Sequence, residues 1–259
     1  MGKNKLARFA ENETFANLFQ LTYEQITREG FALKGRWNED FFKNDNPIVL
    51  ELGCGKGEYT VGLAKKYPNK NFIGIDIKGA RLWRGCKTSN EDKMTNVAFV
   101  RTHIQMIESY FAQNEVSEIW ITFPDPQLKK PNKRLTCERF LSLYKNILKS
   151  EGIVHLKTDS QELYEYTKDE VLIPSKREIL YNTNDLYNSD FKEKIFYVSD
   201  ENDVFSNMRS IDWERGNKEL GSPYTYTIND YKQLINSKNL FCRKVSDSTP
   251  EGNALIEKL

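Results

Sequence analysis

The chain has 259 residues, with 38 Lys and Arg against 37 Asp and Glu and a formal net charge of +1. That length suits one large domain with extensions or two small ones, and no apolar run approaches the roughly 18 residues of a membrane span. Four scattered cysteines (Cys54, Cys86, Cys137, Cys242) and two histidines offer no clustered ligand set for zinc. The first residues carry cations but no apolar signal core, so the chain reads as a reduced, soluble, cytoplasmic protein with no metal and no membrane partner. Near-neutrality excludes an indiscriminate polycation.

In chain order, residues 1–44 read as an N-terminal arm with an amphipathic helix over 12–28. Short apolar runs at 48–52, 71–76, 96–100, 118–123 and 152–157 read as buried strands, and helix-length segments at 58–67, 80–94, 104–113 and 136–149 separate them. The last of these has Phe140, Leu143, Tyr144, Ile147 and Leu148 on one face, Thr136 as a candidate N-cap, and Gly152 soon after its end. Strands alternating with helices predict a Rossmann-like, doubly wound α/β fold with a mostly parallel sheet. The domain is expected over 45–245, with an irregular insertion at 189–222 and a helix-then-strand pattern at 231–245. Residues 246–259 are small and polar enough to read as a loose tail.

The strongest local signal is Glu51-Leu52-Gly53-Cys54-Gly55-Lys56-Gly57-Glu58, which leaves the first apolar strand and opens a helix. Gly53, Gly55 and Gly57 permit a sharp turn and a close approach to a ligand. A dinucleotide fingerprint would place glycine where Glu58 stands, and a carboxylate there repels a pyrophosphate but not a ligand carrying sulfonium and ammonium groups. The choice therefore tilts from NAD to S-adenosylmethionine. Asp76, at the end of the second strand, suits the hydroxyls of a ribose. Each feature also has a plainer reading, as turn chemistry or a helix cap.

Phe123-Pro124-Asp125-Pro126-Gln127 leaves the fourth strand beside this crevice, and its two prolines are expected to push Phe123 and Asp125 toward extended backbone. A stiff loop presenting one carboxylate suits a site residue. Lys129, Lys130, Lys133 and Arg134 follow closely, a run suited to phosphates, although a bare charge run is more often a solvated loop. His155 reads as a structural mid-strand residue, Trp83, Trp120 and Trp213 as packing, and Lys157 as either functional or solvated.

ELGCGKGEY, FIGID, FPDPQLKKPNKRLT with the helix ERFLSLYKNIL, and GIVHLKTDSQELYEY together resemble the bacterial tRNA (guanine-N7-)-methyltransferases over about 46–187. The resemblance implies a class I S-adenosylmethionine-dependent methyltransferase fold and methylation of guanine 46 in the variable loop of tRNA. It also implies cofactor contacts from Glu51, Asp76 and the glycine loop, and an active-site role for Asp125, which lies near both cofactor and guanine. Lys129 and Asp159 correspond to substrate-binding residues, and Lys130, Asn132, Lys133 and Arg134 lie in the RNA-contacting stretch. This chain departs from the family pattern in three places. His103 stands where an aspartate often helps hold the cofactor, Gln127 replaces a common Trp, and Thr227-Ile228-Asn229-Asp230 stands for a Thr-x-x-Glu motif, offering Thr227 and Asp230 as substrate contacts.

Guanine N7 has a lone pair and no proton to lose, so direct in-line displacement needs no strong base, and positioning and electrostatics carry the catalysis. A small-molecule methyltransferase would leave the basic stretch unexplained. A non-catalytic RNA-binding subunit stays open through the departures at His103 and in the C-terminal region, whereas Glu58 disfavours an NAD-dependent dehydrogenase. Monomer and homodimer both remain open.

Overall fold

The computed structural model describes residues 3–184 and 253–258, with the backbone alone at 3–4 and 253–258. The expected 189–222 insertion, the 231–245 pattern, Trp213, Thr227, Asp230 and Cys242 lie outside the described residues.

Five central strands run parallel: β2 (Ile48–Leu52), β3 (Asn71–Asp76), β4 (Val97–Arg101), β5 (Val116–Thr122) and β6 (Leu148–Thr158). The short β1 (Leu18–Phe19) joins the β4 edge in parallel. At the opposite edge stand β7 (Glu178–Thr183) and β8 (Asn253–Lys258), giving the order β1-β4-β3-β2-β5-β6-β8-β7. β8 runs antiparallel to both of its neighbours. Residues 253–258 are therefore a sheet strand and not part of the loose tail that their small, polar neighbours suggest.

Side-chain alternation sorts the sheet into two cores. Ile48, Leu50 and Leu52 of β2 face one core with Ile73, Ile75, Ile119 and Ile121, covered by Leu141, Tyr144 and Ile147 of α5 (Glu138–Ile147). Val49 faces the other with Phe72, Val97 and Phe99. That face is covered by Val61, Leu63 and Ala64 of α3 (Glu58–Lys66) and by Leu82 and Cys86 of α4 (Gly79–Glu91).

The expected 12–28 helix is instead α1 (Lys3–Asn12), the strand β1 and α2 (Tyr23–Glu29). The interruption has a physical cause: Phe99 N donates to Asn17 O at 2.7 Å, and Asn17 Nδ2 donates to Ser89 Oγ at 2.8 Å. Backbone that would have closed a helix thus pairs with the sheet edge. Within the segment up to residue 44, Phe31, Trp37 and Phe42 belong to the main core. Trp37 is fully buried and donates from Nε1 to Tyr110 O at 3.0 Å. The 104–113 helix is only a 3-10 turn, Ile104–Ser109. Thr136 does not cap α5: Cys137 holds that position, and the Thr136 hydroxyl pairs with Thr167 Oγ1 at 2.7 Å. Gly152 lies inside β6 and marks no helix stop.

Strand order reverses between β2, flanked by β3, and β5, flanked by β6. Their carboxyl ends diverge there, opening the crevice in which doubly wound sheets bind ligands.

Candidate active site

Gly53 follows β2 and Phe123 follows β5, so both candidate loops leave the strands at this crevice. Gly53 and Cys54 donate their N–H groups to Ile75 O at 2.8 and 3.0 Å, which ties the loop to β3. Gly53 (φ +73°) and Gly55 (φ +59°) adopt left-handed backbone, and a Cβ at either would meet nothing within 4 Å. They border open space. Gly57 differs, since its Cβ would come within 2.6 Å of the Phe99 ring. It opens α3 and makes room for packing, and the residues lining the cavity do not include it.

A cavity of about 360 Å³ brings together Gly53, Asp76, His103, Asp125 and Lys133, walled by Ile77, Ile104, Leu135 and Phe140. Asp76 accepts from Gly55 N at 3.0 Å through Oδ2 and from Lys78 N at 2.7 Å through Oδ1. A carboxylate has about four acceptor sites, which leaves capacity for ribose hydroxyls. An apolar wall, a fixed carboxylate and glycine edges suit an adenosine-containing cofactor. His103 lines the cavity at the start of the 3-10 turn without capping it.

Glu51 is placed otherwise. Strand parity turns it toward α3, and it is 4% exposed. It accepts from Thr60 N at 2.7 Å, Thr60 Oγ1 at 2.5 Å and Thr122 Oγ1 at 2.7 Å. Burial raises its pKa to about 7, against the lowering effect of these hydrogen bonds. Glu51 thus forms a buried clamp that joins β2, β5 and the start of α3 behind the glycine loop.

The Phe123–Gln127 loop is stiff, though not as expected. Phe123 has φ +46° and Gln127 φ +48°, so Pro124 does not hold Phe123 extended. Phe123 N instead donates to Lys157 O at 2.7 Å, carrying the β5–β6 ladder one step into the turn. Left-handed backbone at two non-glycine residues costs on the order of 1 kcal/mol or more each. Asp125 is exposed at the cavity and accepts from Gln127 N at 3.0 Å.

Arg134 corrects the reading of the basic run. It is 2% exposed, donates from Nε to Pro126 O at 2.8 Å and from Nη2 to Glu162 at 2.5 Å, and lies 4.3 Å from the Tyr166 ring centre. Its five fixed donors suit such a clamp, so it fastens the loop. Lys129, Lys130, Asn132 and Lys133 remain exposed, and only Lys133 of these lines the cavity. Asp159 sits half-buried just beyond β6, away from the cavity lining.

Lys157 is neither solvated nor distant. It is 3% exposed, donates to Tyr59 Oη at 3.0 Å and lies 5.3 Å from the Phe123 ring centre. Burial lowers its pKa to about 8. Its place on a strand end gave a signal, but sequence reasoning could not tell a buried ammonium from an exposed one. Thr60 and Thr122 carry no sequence signal, and Phe140 reads only as a helix-face residue, because hydroxyls and aromatics at such positions have ordinary packing roles. His155 stacks on Trp120 at 4.2 Å between ring centres and stands 3.5 Å from Glu118, on a part of the sheet outside the cavity lining.

Sheet order, glycine loop and acidic strand ends define a Rossmann-like, doubly wound methyltransferase fold. A solved structure titled an antibiotic-related methyltransferase shares this fold, with a TM-score of 0.50 at 14% identity over 92% of this chain and 94% of that one. A family model described as "Putative methyltransferase" matches residues 45–213. The tRNA (guanine-N(7)-)-methyltransferase of Christiangramia forsetii is 60% identical over 194 residues, covering 74% of this chain and 86% of the relative. That of Bacteroides fragilis is 51% identical over 201 residues, covering 76% and 78%. The chain belongs to the tRNA (guanine-N7-)-methyltransferase family.

Proposed function

We propose that the protein methylates N7 of guanine in tRNA, at position 46 of the variable loop, with Asp125 as the active-site carboxylate. The observation that carries this reading is the meeting of Asp125, Asp76, Gly53 and Lys133 in one cavity at the sheet's switch point, beside exposed lysines. When bound, S-adenosyl-L-methionine would supply an electrophilic methyl on a sulfonium for in-line displacement by guanine N7. Gly53 and Gly55 would give the cofactor room, and Asp76 would hold its ribose hydroxyls.

Asp125 acts on the guanine. N7 carries no proton, so no base is required, and the ring gains positive charge as the new bond forms. A carboxylate fixed by Gln127 N stabilises that charge with little reorganisation, and its oxygens also suit the N1/N2 edge. Lys129, Lys130 and Lys133 hold the RNA backbone.

The test is transfer of radiolabelled methyl to unmodified tRNA, followed by nucleoside analysis for 7-methylguanosine at position 46. Asp125→Ala is expected to lose at least about 100-fold in kcat while binding S-adenosylhomocysteine as the parent does. Asp125→Asn separates the two roles: loss in kcat alone marks charge stabilisation, and a rise in KM marks grip on the guanine edge. Normal turnover by Asp125→Ala, or no 7-methylguanosine from the folded parent, would sink the assignment.

A further inference from the structure

A second, larger concavity lies at the other end of the glycine loop. It has a volume of about 520 Å³ and is bounded by α1, α3 and α4. Arg8, Lys56, Lys65, Arg81 and Arg84 line it, against the single carboxylate of Glu58. Gly53 faces the Asp125 cavity, whereas Lys56 and Gly57, a few residues on, face this trough. The two hollows thus share one loop as a divide.

Lys56 meets Glu58 at 3.7 Å within the trough, and the charge that stays unspent is that of the α4 arginines. Arg81 and Arg84 are exposed, and neither enters an ion pair among the described residues. They stand with Thr88 at i, i+3 and i+7 of α4, one face of the helix, while Leu82, Cys86 and Ser89 fill the opposite face. Lys65 meets Asp92 at 2.7 Å, and both side chains are about half exposed. The neighbouring acid Glu11 is engaged, accepting from Trp83 Nε1 at 2.6 Å and from Lys87 Nζ at 2.9 Å. Those contacts lower its pKa and brace the Trp83 indole, over which the Arg8 guanidinium lies at 4.6 Å. A positive wall with arginines on a rigid helix is matched to phosphate, which guanidinium groups bind in bidentate fashion.

We propose that this trough is a second RNA-backbone site, which holds the phosphates of a tRNA arm while the target guanine occupies the Asp125 cavity. The inference rests on the tRNA reading above and extends it: a mononucleotide fills one hollow only, whereas a folded polynucleotide spans the divide. Positive charge then counts by place and not by sum, which reconciles a net charge of +1 with an RNA substrate. The trough contributes to affinity and orientation and leaves the chemical step to the other side of the loop.

The full chain carrying Arg81→Glu and Arg84→Glu tests this. Binding of unmodified tRNA is followed by fluorescence anisotropy across a KCl series, together with kcat and KM for methyl transfer. The slope of log affinity against log salt should fall by about two, and tRNA affinity by at least about tenfold near physiological salt. KM should rise in step and kcat at saturating tRNA stay within about twofold. S-adenosylhomocysteine binding and Tm verify folding. Arg81→Gln with Arg84→Gln replaces the reversal if that variant does not fold, with smaller changes in the same direction. Unchanged affinity and slope in a folded variant overturn the proposal, as does a parallel loss in kcat without KM. Loss of binding to an acidic protein while tRNA affinity stays constant overturns it as well. Failure of the parent to bind or methylate tRNA would instead defeat the function proposed above.

Discussion

Glu51 shows how one carboxylate organises the site from behind. Its ordinary pKa is 4.5, and burial holds it near 7 in the fold. Between those values the folded chain keeps a proton that the unfolded chain has lost, so stability falls as pH rises through the window. The contribution is full below pH 4.5 and gone above about 7, and its size is on the order of 3 kcal/mol. Glu51→Gln removes the titration and keeps the shape. Calorimetric Tm values should show the parent losing stability relative to the variant between pH 4.5 and about 7, and parallel curves would refute the account. The identity of residue 51 was plain in the sequence, but its direction was not. That direction follows from the parity of β2, where Glu51 falls on the Val49 side facing α3.

At the scale of elements, the loop after β5 depends on Arg134. Its guanidinium joins Pro126 O to Glu162 of α6 (Gln161–Glu165) and stacks on Tyr166. Arg134→Ala removes charge-assisted hydrogen bonds and packing, a loss of about 2 kcal/mol. The variant should show a lower urea midpoint and a reduced kcat, because Asp125 loses its fixed position. Its salt slope for tRNA should match the parent's, since the side chain is buried. A reduced slope at unchanged stability would restore Arg134 to the RNA surface. Sequence pattern placed it among four cations of equal standing. Only the fold separates the one whose stem finds an aromatic floor from three that face water.

Across the whole molecule, the carboxyl-terminal strand closes the sheet. Among the described residues β7 pairs with β8 alone, and β8 also covers the free side of β6. Deleting 253–259 exposes the edge of β6 and leaves β7 unattached. The truncated chain should lose about 5–10 °C in Tm, as expected for a few kcal/mol in a domain of this size, and should tend to associate through the bare edge. Amide exchange at 178–183 should rise to the rate of an open segment, and unchanged protection there would contradict the closure. Two helical faces and one sheet edge thus depend on residues more than 70 positions away, as in the Asn17–Ser89 and Trp37–Tyr110 contacts.

The sequence by itself determined the alternation of strands and helices, the glycine loop after β2, Asp76 at the end of β3 and the Asp125 loop after β5. These are short-range facts: periodicity, turn residues and prolines act within a few positions of where they stand. Only the tertiary structure decided which cation is buried, which face Glu51 takes, that residues 253–258 complete the sheet, and that Arg8, Arg81 and Arg84 share a trough. Those outcomes depend on groups distant in the chain meeting in space, where burial, pairing and the local sum of charge are set. The near-zero net charge is a property of composition, and the positive trough is a property of the fold.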